Sequence, residues 1–148
     1  MAEPKSAERD ELAARLRLAI GRLQRRMARN AVEGLTPSQL SALAVIDQNG
    51  PVRVTEVAAR EGVAPPSMTR IIGSLDSLGL LDRRPDPADG RAWLLVPSEA
   101  GAELMQRIRS GRTAYLARQL DTLDADALAA LIAAVPVLEA LVQERPGN

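Results

Sequence analysis

A glycine set between two short amphipathic runs is the feature that most limits what this chain can fold into. In residues 54–78, VTEVAAREGVAPPSMTRIIGSLDSL, one run ends at Glu61, Gly62 supplies the turn, and the next opens at Pro65. Glycine enters the left-handed backbone region without a Cβ penalty, so Gly62 can end one helix and reverse the chain. Ala58 is small enough for the second helix to cross close to it. Met68 and Ile71, three residues apart, lay an apolar stripe on that helix's inner side. The outer side holds Pro66, Ser67, Thr69, Arg70, Gly73 and Ser74, all small, polar or cationic. The segment predicts a helix-turn-helix, and the outer face suits a DNA major groove.

Composition works here mainly by exclusion. With 148 residues and 46% hydrophobic content, the chain can build one domain with a real core, extended by further helices. It has no cysteine and no histidine, which removes disulfides, thiol redox sensing, an imidazole base and the usual zinc sites. The acidic residues are scattered along helices with no catalytic pairing, so an enzyme is not expected. Nothing asks for a cofactor or a metal. No apolar run is expected to approach the roughly 18 residues of a membrane span, and the polar N-terminus has no signal-peptide core. The expectation is a soluble, cytoplasmic protein with no membrane partner.

Net charge is zero, yet the charges are not evenly spread. Residues 1–34 carry eight positive and five negative groups, while residues 121–148 carry one and five. Lys5 is the single lysine, so arginine dominates the cations, and arginine suits bidentate contacts to guanine or phosphate.

Taken in order, the chain begins with a long amphipathic helix expected over residues 6–32, with Leu12, Leu16, Ala19, Ile20, Leu23 and Met27 on its apolar face. Thr36 then reads as an N-cap, with Pro37 at the first helical position and Gln39 completing a capping box. That helix is expected to run to about Gln48, stopped by Asn49, Gly50 and Pro51. Residues 52–54 make a short bridging strand before the helix-turn-helix. Its second helix is expected to keep Ile71, Ile72, Leu75 and Leu78 inward and to end at Gly79.

Beyond it, two strand-like runs flank a turn rich in Pro, Asp and Gly at residues 85–90, which predicts a β-hairpin. A hairpin placed directly after a recognition helix is a wing. Arg83, Arg84 and Arg91 bracket its tip, within reach of phosphates or a minor groove, and Asp89 is expected to hold the Arg91 guanidinium. Ser98 caps another long helix, which Gly111 weakens at its middle. Asp124 caps a final apolar helix, where Pro136 predicts a kink or a break.

The fold class expected is mainly α with a small β-hairpin wing. Residues 35–97 would form a winged helix-turn-helix DNA-binding domain, and residues 1–34 and 98–148 a helical dimerisation region. The final helix is apolar on nearly two faces, so it needs either burial or a partner. A homodimer is therefore expected, with Leu12, Leu16, Leu128, Ile132, Leu138 and Leu141 at its interface. It would present two recognition helices to half-sites about 34–36 Å apart.

From Asp10 to Val142 the chain resembles the MarR family of bacterial transcription regulators. The most specific match is the wing, residues 82–92, including Asp89 and Arg91 in an Asp-x-Arg arrangement. Residues 65–70 look like the start of that family's recognition helix, and residues 35–40 resemble its usual second-helix opening. The resemblance implies a homodimer that binds a pseudo-palindromic operator in double-stranded DNA, usually as a repressor. It also implies release by a small aromatic or anionic effector bound between the dimer interface and the DNA-binding lobes. On this reading Ser67, Thr69 and Arg70 meet bases beside Pro66, while Arg53, Arg83, Arg84 and Arg91 hold backbone or minor groove. There are departures. Ala64 stands where many members have a capping serine, although Pro65 and Pro66 leave fewer orphan donors to cap. The absence of cysteine excludes the family's peroxide sensing. Trp93 and Tyr115 are the only aromatics and are expected to serve the core rather than a ligand. A winged-helix module that docks a protein partner remains the alternative, kept open by the zero net charge. Ligand-pocket residues are not legible.

Overall fold

A computed structural model describes residues 6–29 and 34–143. The elements in order are α1 (Ser6–Arg29), α2 (Pro37–Asn49), α3 (Val54–Glu61), α4 (Pro65–Ser77), β1 (Leu81–Asp86), β2 (Asp89–Pro97), α5 (Glu99–Leu120) and α6 (Ala125–Val142). The expected extension of α1 through residues 30–32, the polar first residues and the last residues of the acidic C-terminal segment lie outside the described residues.

Local chemistry sets most boundaries. Thr36 Oγ1 accepts from the Gln39 backbone N–H at 3.2 Å, and Gln39 Oε1 accepts from the Thr36 N–H at 2.8 Å, closing the capping box before α2. Two orphan donors are satisfied at once. Gly62 lies in the left-handed region with φ 63° and ψ 31°, and ends α3 as expected. Ser98 and Asp124 accept from the backbone N–H groups of Gly101 and Ala127, at 3.1 and 2.8 Å, and start α5 and α6.

The core lies between α2, α3, α4, the base of the hairpin and the first half of α5. Leu43, Ile46, Val57, Met68, Leu75 and Leu95 are almost wholly buried there. Leu104, Met105 and Ile108 close it from α5. β1 and β2 pair antiparallel from Leu81 opposite Pro97 to Asp86 opposite Asp89. Val52 makes an isolated bridge to Leu95, with N–H···O distances of 3.1 and 2.8 Å. The start of α5 is pressed against the turn that follows α4. A Cβ added to Gly101 would stand 2.1 Å from the Leu80 carbonyl oxygen, and Ser98 Oγ donates to the Gly79 carbonyl at 2.6 Å. The long helix is therefore seated on the turn at the end of α4.

Several expectations are corrected. Leu78 is 53% exposed rather than inward. The chain leaves the helix at that residue, and Gly79, at φ 71°, sends Leu80 into the core instead. Ser74 does not join the outer face of α4. Its hydroxyl accepts from Gln39 Nε2 at 2.9 Å and donates to the Ile71 carbonyl, tying α4 to α2. Trp93 is 53% exposed and not in the core, because the far half of the hairpin projects past the helices with no layer over it. Tyr115 is half-buried on α5. Of the kink or break expected at Pro136, the break does not occur, since α6 is one continuous helix through that residue. The Ile132 carbonyl loses its helical donor there, but α6 buries no residue, so water can take the bond. Finally, α6 is 18 residues long with mean hydropathy 2.0, which by length and composition alone suffices to cross a membrane. The expectation that no run approaches that size fails here.

Candidate nucleic-acid interface

α4 has the two faces expected of a recognition helix. Met68, Ile72 and Leu75 are buried, each three or four residues from the next, which is one face of a 3.6-residue period. Pro66, Ser67, Thr69 and Arg70 are exposed. Ala64 makes no side-chain cap, and prolines occupy the first two helical positions, so those positions present no N–H group. The Thr69 hydroxyl donates to the Pro65 carbonyl at 2.9 Å, inside its own helix, so its oxygen keeps acceptor capacity at an exposed position.

The cations sort into two groups. Arg70, Arg84 and Arg91 are exposed and hold no ion pair with another described residue. Arg53 and Arg83 are engaged. Arg83 pairs with Asp76 at 3.0 Å, joining β1 to the last turns of α4. Arg53 pairs with Asp86, its Nε donating to Oδ2 at 2.7 Å. Asp86 is 5% exposed and also accepts from the Ala88 backbone N–H at 2.8 Å. The Ala88 hydrogen bond first, and then the Arg53 guanidinium, hold its carboxyl below the usual range. The hydrogen bond to Asp86 in turn raises the Arg53 pKa.

Asp89 departs from expectation. Its Oδ1 accepts from the Arg91 backbone N–H at 3.1 Å, and it does not hold the Arg91 guanidinium. Aspartate in a turn readily takes the backbone donor two residues on, so the short local bond forms. The wing arginine stays uncommitted. Reading the sequence did not find Asp76 and Asp86. Asp86 is one of a run of like-looking turn residues, and its partner lies 33 positions away.

Away from this surface, a cavity of about 390 Å³ lies between α1, α2 and α5. Met27, Leu35, Leu40, Ser41, Met105 and Arg112 are among the residues lining it. The Nε of Arg112 is buried there without a hydrogen-bond partner.

A helix-turn-helix with an exposed polar recognition face, followed by an arginine-bearing hairpin, defines a winged-helix DNA-binding regulator rather than an enzyme. Comparison with known proteins carries this to the family. A MarR family sequence profile matches residues 33–92. The chain is 43% identical over 136 residues to an uncharacterized HTH-type transcriptional regulator of Mycobacterium bovis, covering 91% of this chain and 95% of that one. The HTH-type transcriptional repressor MdtR of Bacillus subtilis is 32% identical over 91 residues, 62% of this chain and 59% of its own length. Among solved structures, a putative transcriptional regulator from Pseudomonas aeruginosa superposes with a TM-score of 0.82 at 31% identity, spanning 96% of this chain and all of that one. The chain belongs to the MarR family of transcriptional regulators.

Proposed function

We propose that this DNA-binding regulator acts as a homodimeric repressor, released from a pseudo-palindromic operator by a small ligand, with cytoplasmic DNA as its target. The observation that carries the DNA-contact reading is the sorting of the arginines. Arg70, Arg84 and Arg91, on α4 and the hairpin, are exposed and uncommitted, with Pro66, Ser67 and Thr69 beside the first of them. Ser67, Thr69 and Arg70 read base edges; Arg84 and Arg91 hold phosphates or the minor groove. Asp89 shapes the turn that presents Arg91.

Dimerisation through the terminal helices is supported by their exposure. Leu12, Ile132 and Leu141 are 64%, 64% and 69% exposed, and Leu16, Leu128 and Leu138 are half-buried along the same helices. An apolar face of this size on a soluble protein marks an interaction surface. The division into a DNA-binding unit at residues 35–97 and a dimerising region from both ends follows from it. Repression takes its support from the relative named as a repressor. Release by a ligand is supported by the cavity beside Arg112. A buried guanidinium nitrogen with no partner favours an anionic group, and the aliphatic and thioether lining favours an apolar body.

Binding to a duplex recovered from a random-sequence pool, followed across salt concentration, tests the DNA reading. Affinity falls steeply with salt, because each phosphate contact releases a counterion, and a random duplex binds far more weakly. Salt-independent binding, or equal affinity for both duplexes, contradicts the reading and favours a protein-docking module.

A further inference from the structure

We propose that Arg53 serves DNA binding as a positioning residue. Together with Asp86 it forms a strap that fixes the wing against the start of α3, and it does not itself touch phosphate. The inference rests on the DNA-binding reading and reassigns one residue expected to be part of the contact surface.

The hairpin needs such a strap. Between Leu81 and Leu95 its residues are exposed or half-buried, with Asp86 the single buried exception. A two-stranded ribbon without a covered face is marginal in water, so packing does not set its angle. Only its base is held by the core, through Leu81, Leu95 and Val96, and by the Val52 bridge. Arg83 and Asp76 add a link near that base, but both side chains are 40% or more exposed, which makes it a weak one.

Asp86 differs in kind. It is the one buried charged or polar side chain among the described residues. The ladder register shifts between Pro85 and Asp86, and an irregularity of that type re-aims a side chain. Strict alternation would leave Asp86 on the same face as the exposed Asp82 and Arg84. Instead it turns inward, where Oδ2 accepts from Arg53 and Oδ1 from the Ala88 N–H. One carboxylate thus joins the last turn of the wing to the helix-turn-helix.

Arg53 is specialised for this at a local cost. It stands at the N-cap of α3, where Ser, Thr, Asp or Asn would accept from the helix's first N–H groups, and arginine has no acceptor. Only the return half of a capping box is made, the Arg53 N–H donating to Glu56 at 2.7 Å. The side chain is spent on the wing. A guanidinium already engaged by a buried carboxylate is also a poor phosphate ligand, since Asp86 offsets its charge.

The two roles predict opposite results at Asp86. The probe is the duplex recovered from a random pool by the unmodified chain, with Arg53→Gln, Asp86→Asn and the double variant compared. For a strap, each single variant weakens binding about tenfold, and the double variant is no weaker than Arg53→Gln, because the pair acts as one unit. The salt slope stays that of the parent, and hydroxyl-radical protection is lost only at the flanks of the site. The anisotropy of Trp93, which pairs with Pro85 beside Asp86, falls in the free protein of every variant. The proposal is overturned if Asp86→Asn binds as tightly as the parent or tighter while Arg53→Gln lowers the salt slope by about one phosphate contact. It is equally overturned if the single losses multiply in the double variant, or if neither variant changes binding. Arg53→Lys keeps the charge but not the planar fork, so it behaves as Arg53→Gln for a strap and as the parent for a simple phosphate contact. If the unmodified chain selects no duplex, the DNA reading fails by itself, and unchanged Trp93 anisotropy is then the separate result that overturns the strap.

Discussion

The region from α2 through the first half of α5 and the two terminal helices all carry apolar faces but meet opposite fates. The first buries Leu43, Ile46, Val57, Leu75 and Leu95 almost completely and joins its helices through named bonds, Gln39 to Ser74 among them. α1 and α6 bury no residue at all, although α6 is the most apolar helix of the chain. Hydrophobic periodicity states that a face needs cover, and does not state whether the cover comes from the same chain. Here one region finds its cover within the chain and the other does not, and that difference is what supports the proposed dimer.

Substitutions can break or sharpen that contrast. The largest effect belongs to the core. Leu43→Ala removes a wholly buried side chain and lowers unfolding stability by about 2–5 kcal/mol. The matching change Leu141→Ala, at a residue 69% exposed within one chain, leaves the α2–α4 region intact and shows itself instead as weaker self-association. Denaturant melts read at two protein concentrations separate these effects, since only a change at a subunit contact depends on concentration. Equal, concentration-independent losses would remove the distinction between the regions.

A smaller effect lies in the hairpin. The folded state holds the Asp86 carboxyl below its ordinary value of 3.8, first through Ala88 and then through Arg53. A depressed acid contributes stability above that value and loses it as pH falls through the folded one. Acid titration followed by Trp93 fluorescence should therefore show the hairpin loosening below about pH 4, with Asp86→Asn flat over the same window. A variant that titrates like the parent would place the transition elsewhere.

Much of the fold was legible because its determinants are local. Thr36 with Gln39, Gly62, Ser98 and Asp124 each act within three or four residues of their partners, and each behaves as its position suggests. The recognition face was legible for the same reason, since helical period alone turns Ser67 and Arg70 outward while Met68 turns inward. What escaped reading was set by distance or by covering layers. Trp93 is exposed because no layer reaches the outer hairpin, and Leu78 because the helix ends beneath it. Ser74 faces α2 because Gln39 lies across the interface. The sorting of arginines into engaged and free depended on Asp76 and Asp86, carboxylates that nothing in the local pattern distinguishes from Asp82 or Asp89.

In the proposed dimer a second copy covers α1 and α6 and so pairs two recognition helices. The mass of the complex with a duplex recovered from a random pool, measured by sedimentation, addresses this directly. Two chains of 15.8 kDa are expected on each duplex, with a drop to one weakly held chain when Ile132 and Leu141 are both changed to glutamate. A single chain bound tightly and selectively, with those substitutions having no effect, would contradict it.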